Sequence, residues 1–506
     1  MPEGADGPAH PKRVMGLSSP VPKVQHASPA PGISTMSDSA PDQPAQTPDA
    51  AGDAAAGPTP KVLAVTCVFA AVVGVVVSLA AWCFLELVHQ IQNGVFNDLP
   101  GDMGYHSAPW WWLLIVLAVA GLVVALAVER LPGRGGHVPA HGLQVGGTPM
   151  QPIDLPGVIL AALASVGLGT VVGPEAPLLA LGAGLGLLLI RRARPATPQQ
   201  GQALIAAAGS FAAISFLFDQ PIIAAVLVIE ATGLAKKQLP LVLLPGLAAA
   251  GIGSLVTIGM GKLTGLSTSA YSLSAVPLPT EARPTLVDFA WTIPLAIVVA
   301  IGAVVIFRLA RAAEPHIVPR LLVLAPAVGM IVAGLAIAFA HITGKSYSEV
   351  LFSGQDQLPG LVSGASGWSA SALLLVLGFK GLAYSLSLPS FRGGPTFPAM
   401  FLGAAAGILM ARLPGFQLTA AVGVGMGASL AAVLRLPLSA VVIATLLTDR
   451  SGPGAGPVII VGVVIAYLVA IALDRRQASK AGTPHDTEPA SATGASGAAQ
   501  TAVGGT

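Results

Sequence analysis

Gly173-Pro-Glu-Ala-Pro177-Leu-Leu-Ala-Leu-Gly182-Ala-Gly-Leu-Gly186 returns 221 residues later as Gly394-Pro-Thr-Phe-Pro398-Ala-Met-Phe-Leu-Gly403-Ala-Ala-Ala-Gly407. Seven of the fourteen positions are identical: the Gly-Pro pair, the second proline, Leu-Gly-Ala and the last glycine. A second correspondence follows at an offset of 216, where Gly209, Ala212, Pro221, Ala224, Val226 and Thr232 meet Gly425, Ala428, Pro437, Ala440, Val442 and Thr448. Two matches in one order at nearly one spacing mark a duplicated half, and the repeats are placed at about 61–260 and 285–475.

The repeated element has its own physics. Gly-Pro-x-x-Pro is no helix interior, because proline lacks an N–H and has its φ fixed. An apolar helix is expected to begin just after each copy. A helix start presents unpaired N–H groups and a partial positive charge. Two such starts, one from each half and aimed at one point, make an anion site that needs no lysine or arginine. The positions so singled out are Gly173, Pro174, Ala176 and Pro177 in the first copy, and Gly394, Pro395, Thr396, Phe397 and Pro398 in the second.

Composition sets the solvent. Of 506 residues, 54% are hydrophobic and 9% charged, and mean hydropathy is +0.77. Soluble domains carry about 25% charged residues, so there is too little charge to cover a water-exposed surface. The 60 glycines suit membrane helices that approach closely or break. A net charge of +2 without a basic block gives no grip on nucleic acid. The fold class read here is an all-α polytopic membrane protein of two repeats with broken, re-entrant helices.

Residues 1–60 and 476–506, rich in small, polar and proline residues, are read as disordered tails flanking one membrane domain at 61–475. Runs long enough for a span of about 20 residues are Lys61–Val95, Trp110–Val128, Phe289–Leu309, Leu321–Ala340, Ala370–Leu388 and Val458–Leu473. Shorter ones are Val158–Val172, Leu178–Ile190, Ile222–Leu234, Met400–Met410 and Leu438–Leu447. Broken helices at membrane depth survive only where protein or a watery cavity satisfies their ends, so they point to a transport site near the bilayer midplane. Lys61 before the first run and Arg475 and Arg476 after the last place both termini in the cytoplasm of a multi-pass cell-membrane protein.

Glu175 is an ionisable group set between apolar segments, in the first turn of the first repeated helix. Such groups are costly and functional by default. Its carboxylate can occupy the anion site itself, and protonation or displacement would free the site, which describes a gate. A simple cap of the helix end is the competing reading, but the other copy has Thr396 there and needs no charge.

In these motifs the sequence resembles the CLC family of chloride channels and proton/chloride exchangers. That family carries signature loops GSGIP, G(K/R)EGP and GxFxP. Gly173–Pro177 looks like the second, with Glu175 at the gating glutamate, and Gly394–Pro398 like the third, with Phe397 one residue late. Gly135-Gly136-His137-Val138-Pro139 is a weak version of the first, and adds these five residues to the anion-binding set. Phe218–Pro221 through Val228–Glu230, and Arg435–Leu438, resemble the helices that follow. The resemblance covers about 60–475 and implies a homodimer in a lipid bilayer. Each subunit, a CLC-like fold of two inverted repeats, then has one chloride pathway, lined by the helix starts after Pro139, Pro177 and Pro398 and gated by Glu175. Several positions depart from the pattern. Gly136 stands where the family usually has a serine, Pro395 removes one amide, and the pore tyrosine has no match. Ala231 stands where exchangers often have a second glutamate, leaving neighbouring Glu230 as the candidate for a proton path. Passive channel and proton-coupled antiporter therefore both stay open.

Other candidates have blander readings. His137 and His141 have i, i+4 spacing, but Pro139 between them opposes a helix, and no metal or cofactor site is read. Asp219 is either an ion ligand or a cap for the helix at Pro221. Lys380 and Glu86 face a cavity or snorkel. Arg191, Arg192 and Arg194 are an interfacial anchor. Cys67 and Cys83 are small buried hydrophobes. A cation-coupled solute transporter shares duplicated halves but calls for more intramembrane acidic residues. An enzyme would need a nucleophile–base or metal constellation in the spans, and none is read.

Overall fold

The structure, a computed structural model, describes residues 59–143, 150–233, 239–264, 275–280, 283–451 and 453–480. Its helices in chain order are α1 (Pro60–Asn93), α2 (Leu99–Asp102), α3 (Trp110–Arg130), α4 (Leu155–Gly167), α5 (Glu175–Ala193), α6 (Gln199–Phe218), α7 (Pro221–Thr232) and α8 (Leu239–Thr264). The second half follows with α9 (Leu286–Ile317), α10 (Leu321–Thr343), α11 (Gln357–Ser363), α12 (Ala370–Ser390), α13 (Thr396–Met410), α14 (Leu418–Leu434), α15 (Pro437–Thr448) and α16 (Gly456–Lys480). Among the described residues, eight helical stretches are long and apolar enough to cross a membrane, and α4, α7, α13, α14 and α15 belong to the shorter apolar ones.

The chain is built for a solvent of hydrocarbon. Along α1 the outward residues Val65, Val68, Val72 and Leu79 are exposed, while Ala70, Val73, Val77, Ser78 and Ala81 are buried. Both faces are apolar, and the inner one is the smaller-chained. Small residues let helices meet backbone to backbone. A Cβ added to Gly182 of α5 would strike the carbonyl of Gly209 in α6, and one added to Gly403 of α13 would strike that of Gly425 in α14. These four glycines are the ones matched across the repeat, so the same close crossing is made once in each half.

Both repeated helices begin inside their motifs rather than after them, α5 at Glu175 and α13 at Thr396. Pro177 and Pro398 each take the third helical position, where a missing N–H costs nothing because no helical carbonyl precedes it. The run read as Leu178–Ile190 is correspondingly longer, reaching Ala193.

The helix expected after Pro139 is not formed. Pro139–His141 make a single 3-10 turn, closed by Gly142 at φ +82. Gly135 and Gly136 also hold positive φ, +71 and +87, so the glycines that bend this loop leave no straight segment to propagate. Cys83 is exposed on the outer face of α1 rather than buried. Asp219 is the left-handed C-cap of α6 at φ +51, and α7 starts at Gln220 without a side-chain cap. Arg435, its counterpart in the second half, takes the same conformation at φ +60 between α14 and α15.

Candidate functional site

The two repeated loops meet. The Gly173 N–H donates to the Gly394 carbonyl at 2.8 Å, and the Gly394 N–H to the Gly173 carbonyl at 2.6 Å, an antiparallel bridge between the halves. A second matched pair braces it from both sides. The Val171 N–H donates to Ser387 Oγ at 3.4 Å, and the Arg392 N–H to Ser165 Oγ at 3.0 Å. Val171 and Arg392 are partners at the 221-residue offset, and Ser165 and Ser387 nearly so. This reciprocity is what a two-fold relation between the halves produces.

Glu175 fills the centre of this arrangement. It is fully buried, and its Oε1 accepts the backbone N–H of Thr396, the first residue of α13. Its Oε2 has no hydrogen-bond partner. The carboxylate projects from the start of one repeated helix onto the start of the other, where unpaired amides and the helix dipole favour negative charge. Space around it exists only because both bridge residues are glycine. A Cβ on Gly173 would collide with Glu175 Oε2, and one on Gly394 with its Cδ. Phe397 closes one side, its ring stacked on Phe218 with centroids 5.5 Å apart and planes at 14°.

Of the positions singled out in the sequence, Gly173, Pro174, Pro177 and all of Gly394–Pro398 are buried around this point, with Ala176 half-buried. The first loop goes elsewhere. Gly135 packs against α3, α4 and Arg392, where a Cβ would stand 3.1 Å from Ala161 Cβ and 3.2 Å from Arg392 Cγ. His137 donates from Nε2 to the Gly142 carbonyl, and burial holds its imidazole below the usual value. His141 pairs with Glu314 near the end of α9, Nε2 to Oε1 2.9 Å. The two histidines therefore have separate partners rather than a shared one.

Glu230 serves α15. Its Oε1 accepts the Leu438 N–H at 2.9 Å, and its Oε2 accepts the Ser439 N–H and hydroxyl, each at 2.6 Å. A carboxylate at a helix N-terminus satisfies amides that have no helical acceptor. Lys380 neither snorkels nor faces water. It is fully buried and its Nζ donates to the carbonyls of Glu349, Val350, Leu351 and Phe352 at 3.0–3.3 Å, with Nζ 4.5 Å from the Phe401 ring centroid. Glu86 accepts from Gln90 Nε2 at 2.6 Å. Arg191 is bound to Gln202 and Gln151 at 3.0 and 2.9 Å.

Two residues near the bridge went unread in the sequence. Tyr384 is buried and donates its hydroxyl to the Pro395 carbonyl at 2.6 Å, close enough to Glu175 to feel its charge. It lies in an apolar run where nothing distinguishes it. Arg392 is buried directly before the Gly-Gly of the second copy. Extending the repeat upstream pairs it with Val171, a charge in one half where the other has none, which is the signal that marked Glu175.

A cavity of about 680 Å³ opens beside the segment leading to Glu175. His89, Asn93, Phe96, Phe352 and Gln357 line it. Phe352 donates its N–H to the Gly169 carbonyl at 3.0 Å and meets Phe96 edge to face. Through Phe352 the wall of this cavity is tied to the Gly169–Gly173 segment that leads to Glu175.

The sequence profile of a family described as "Voltage gated chloride channel" matches residues 120–471. The chain is 28% identical over 346 residues to the "Putative ion-transport protein YfeO" of Escherichia coli O1:K1 / APEC, and equally to that of strain K12 / DH10B. These alignments cover 67% of this chain and 78% of each relative. Among solved structures it is similar to a slow cyanobacterial Cl-/H+ antiporter, with TM-score 0.66 and 20% identity over 82% of this chain and 96% of the other. A CLC-type fluoride/proton antiporter matches with TM-score 0.60 and 16% identity over 82% and 97%. At these identities the likeness is one of fold.

Proposed function

Because the chain belongs to the voltage gated chloride channel family, we propose that it carries chloride or a similar small anion across the cell membrane, with Glu175 as the gate. One contact carries the gating assignment: the Glu175 carboxylate accepts the Thr396 amide at the start of α13. A carboxylate held there occupies the place an anion would take. A helix end is worth about 0.3–2 kcal/mol to a negative charge, enough to bind an anion and weak enough to release it. An arriving anion displaces the carboxylate, and protonation of Glu175 removes its charge and its claim on the amide. Either event opens the path.

Transport coupled to protons is the second reading. It is favoured by the two structural relatives, a Cl-/H+ antiporter and a fluoride/proton antiporter. In that reading Glu175 moves the proton as well as the gate, and Glu230 is the candidate for its onward path. Glu230 is engaged as a helix cap and Ala231 beside it is apolar, which weighs toward a channel or a loosely coupled exchanger. The membrane domain is taken as 61–475 with its two repeats, flanked by tails. The exposed Arg475 and Arg476 at the end of α16 support a reading with both termini in the cytoplasm. The assembly is taken as a homodimer with one pathway per subunit.

The test is chloride efflux from liposomes holding the purified protein, with external pH recorded in the same trace. Chloride loss without proton movement identifies a channel, and chloride loss with opposing proton uptake an antiporter. No loss of chloride, fluoride or nitrate would overturn anion transport.

A further inference from the structure

Arg392 is a charge that the fold does not require. It is 4% exposed, and a guanidinium remains protonated at any accessible pH. Its Nη1 donates to the carbonyl of neighbouring Phe391 at 3.1 Å, while its Nε has no hydrogen-bond partner. Among the described residues the ion pairs within 4 Å are His141–Glu314 and Arg435–Asp474, so Arg392 has no carboxylate in contact. Glu314 acts on it through space, but that side chain is held by His141. His137, the other titratable group nearby, senses the guanidinium's charge.

A buried, incompletely paired charge costs several kcal/mol. Val171 stands at the matching place of the first half and makes the matching backbone bond to a serine. An aliphatic side chain therefore serves the architecture equally well. The neighbourhood also lacks something. The Gly135–Pro139 loop, read as the start of a third anion-facing helix, has one 3-10 turn and so no helix end to offer. Arg392 packs against that loop, with its Cγ 3.2 Å from where a Gly135 Cβ would lie.

We infer that Arg392 binds the transported anion, through its unpartnered Nε–H, where it packs on the Gly135–Pro139 loop beside the ends of α3 and α9. The inference rests on the anion-transport reading and adds a station separate from the one Glu175 occupies. A guanidinium replaces there the positive charge that a helix end would have supplied. Charge-assisted N–H bonds are about twice as strong as neutral ones, so this station holds an anion more firmly than amides alone and favours slow passage.

The experiment uses the purified full chain and sodium chloride, titrated calorimetrically, with efflux measured on the same preparation. Arg392→Val, which copies the other half, is expected to bind chloride about tenfold more weakly and to melt no lower than the parent. Chloride affinity unchanged in R392V, with the parent both binding and transporting, would sink the Arg392 assignment and leave anion transport standing. A parent that neither binds nor transports any anion would sink both. A measurement free of any folding defect is anomalous diffraction from the parent soaked in sodium bromide. A bromide peak in direct contact with Arg392 Nε supports the station, and peaks found only beside Glu175 overturn it.

Discussion

Gly173 and Gly394 hydrogen-bond to each other in both directions, at 2.8 and 2.6 Å, so the duplicated loops touch at the first residue of each copy. Around that contact the halves cease to be equal. Glu175 faces Thr396 across it, and Arg392 stands where the other half has Val171. The ionisable residues beside that contact are the places where one half departs from the other.

Replacing Glu175 tests the gate directly. Glu175→Gln keeps the shape and removes the charge, so anion flux should lose the parent's pH dependence and should equal or exceed the parent's at the alkaline end. Flux and pH response matching the parent would remove Glu175 from that role.

The glycine bridge predicts coupling. In Gly394→Ala the added methyl collides with the Glu175 carboxyl, so the side chain must leave its place or the loops must part. The harm done by G394A should shrink when Glu175→Ala is also present. A coupling of about 0.5–3 kcal/mol is the range for residues in contact, read from melting in detergent for the four-member cycle. Simple additivity of the two changes would contradict the observed packing.

Lys380 ties the Glu349–Phe352 segment to α12. Lys380→Met leaves four buried carbonyls without their donor, at about 1–3 kcal/mol for each one that finds no other partner. Melting should fall by more than for an exposed lysine, such as Lys262→Met. An unchanged melting temperature would mean that water enters the place of the ammonium.

Glu230→Gln separates a cap from a proton station. A cap predicts lower stability by about 0.5–2 kcal/mol, because the amide cannot accept all three bonds now made to Leu438 and Ser439. The ratio of protons to anions moved should not change. Intact melting together with altered coupling would instead assign Glu230 to the proton path.

His137 gives an acid-side prediction. Burial lowers its folded value, so at pH below the ordinary imidazole value of about 6.5 the unfolded chain takes up a proton that the folded chain refuses. Stability contributed by neutral His137 is present above that value and is lost as pH falls toward the folded one. His137→Gln should therefore lose less melting temperature than the parent on acidification. Equal acid sensitivity would place the titrating group elsewhere.

Much of the fold was legible in the sequence because the rules involved are local. Proline and glycine spacing announced a helix start at each repeated loop, which the structure sets inside the motif, at Glu175 and Thr396, rather than after it, and composition announced the bilayer. The offset of 221 announced two halves with one carboxylate between them. The loop at Gly135–Pro139 was misread because three glycines took positive φ, and a pattern of residue types does not say which allowed conformation a glycine adopts.

What only the tertiary structure decided is which charges are buried, and against what. Lys380 reads as one more lysine in an apolar run, and its four acceptors lie 28–31 residues away. Arg392 reads as a loop arginine until Ser165 and Gly135, each more than 220 residues distant, close over it. Dihedral preference and hydrophobic patterning act over a few neighbours and are written in the chain. The environment of a charge is set by carbonyls and helix ends that arrive from remote segments, and these come together only when the two halves pack.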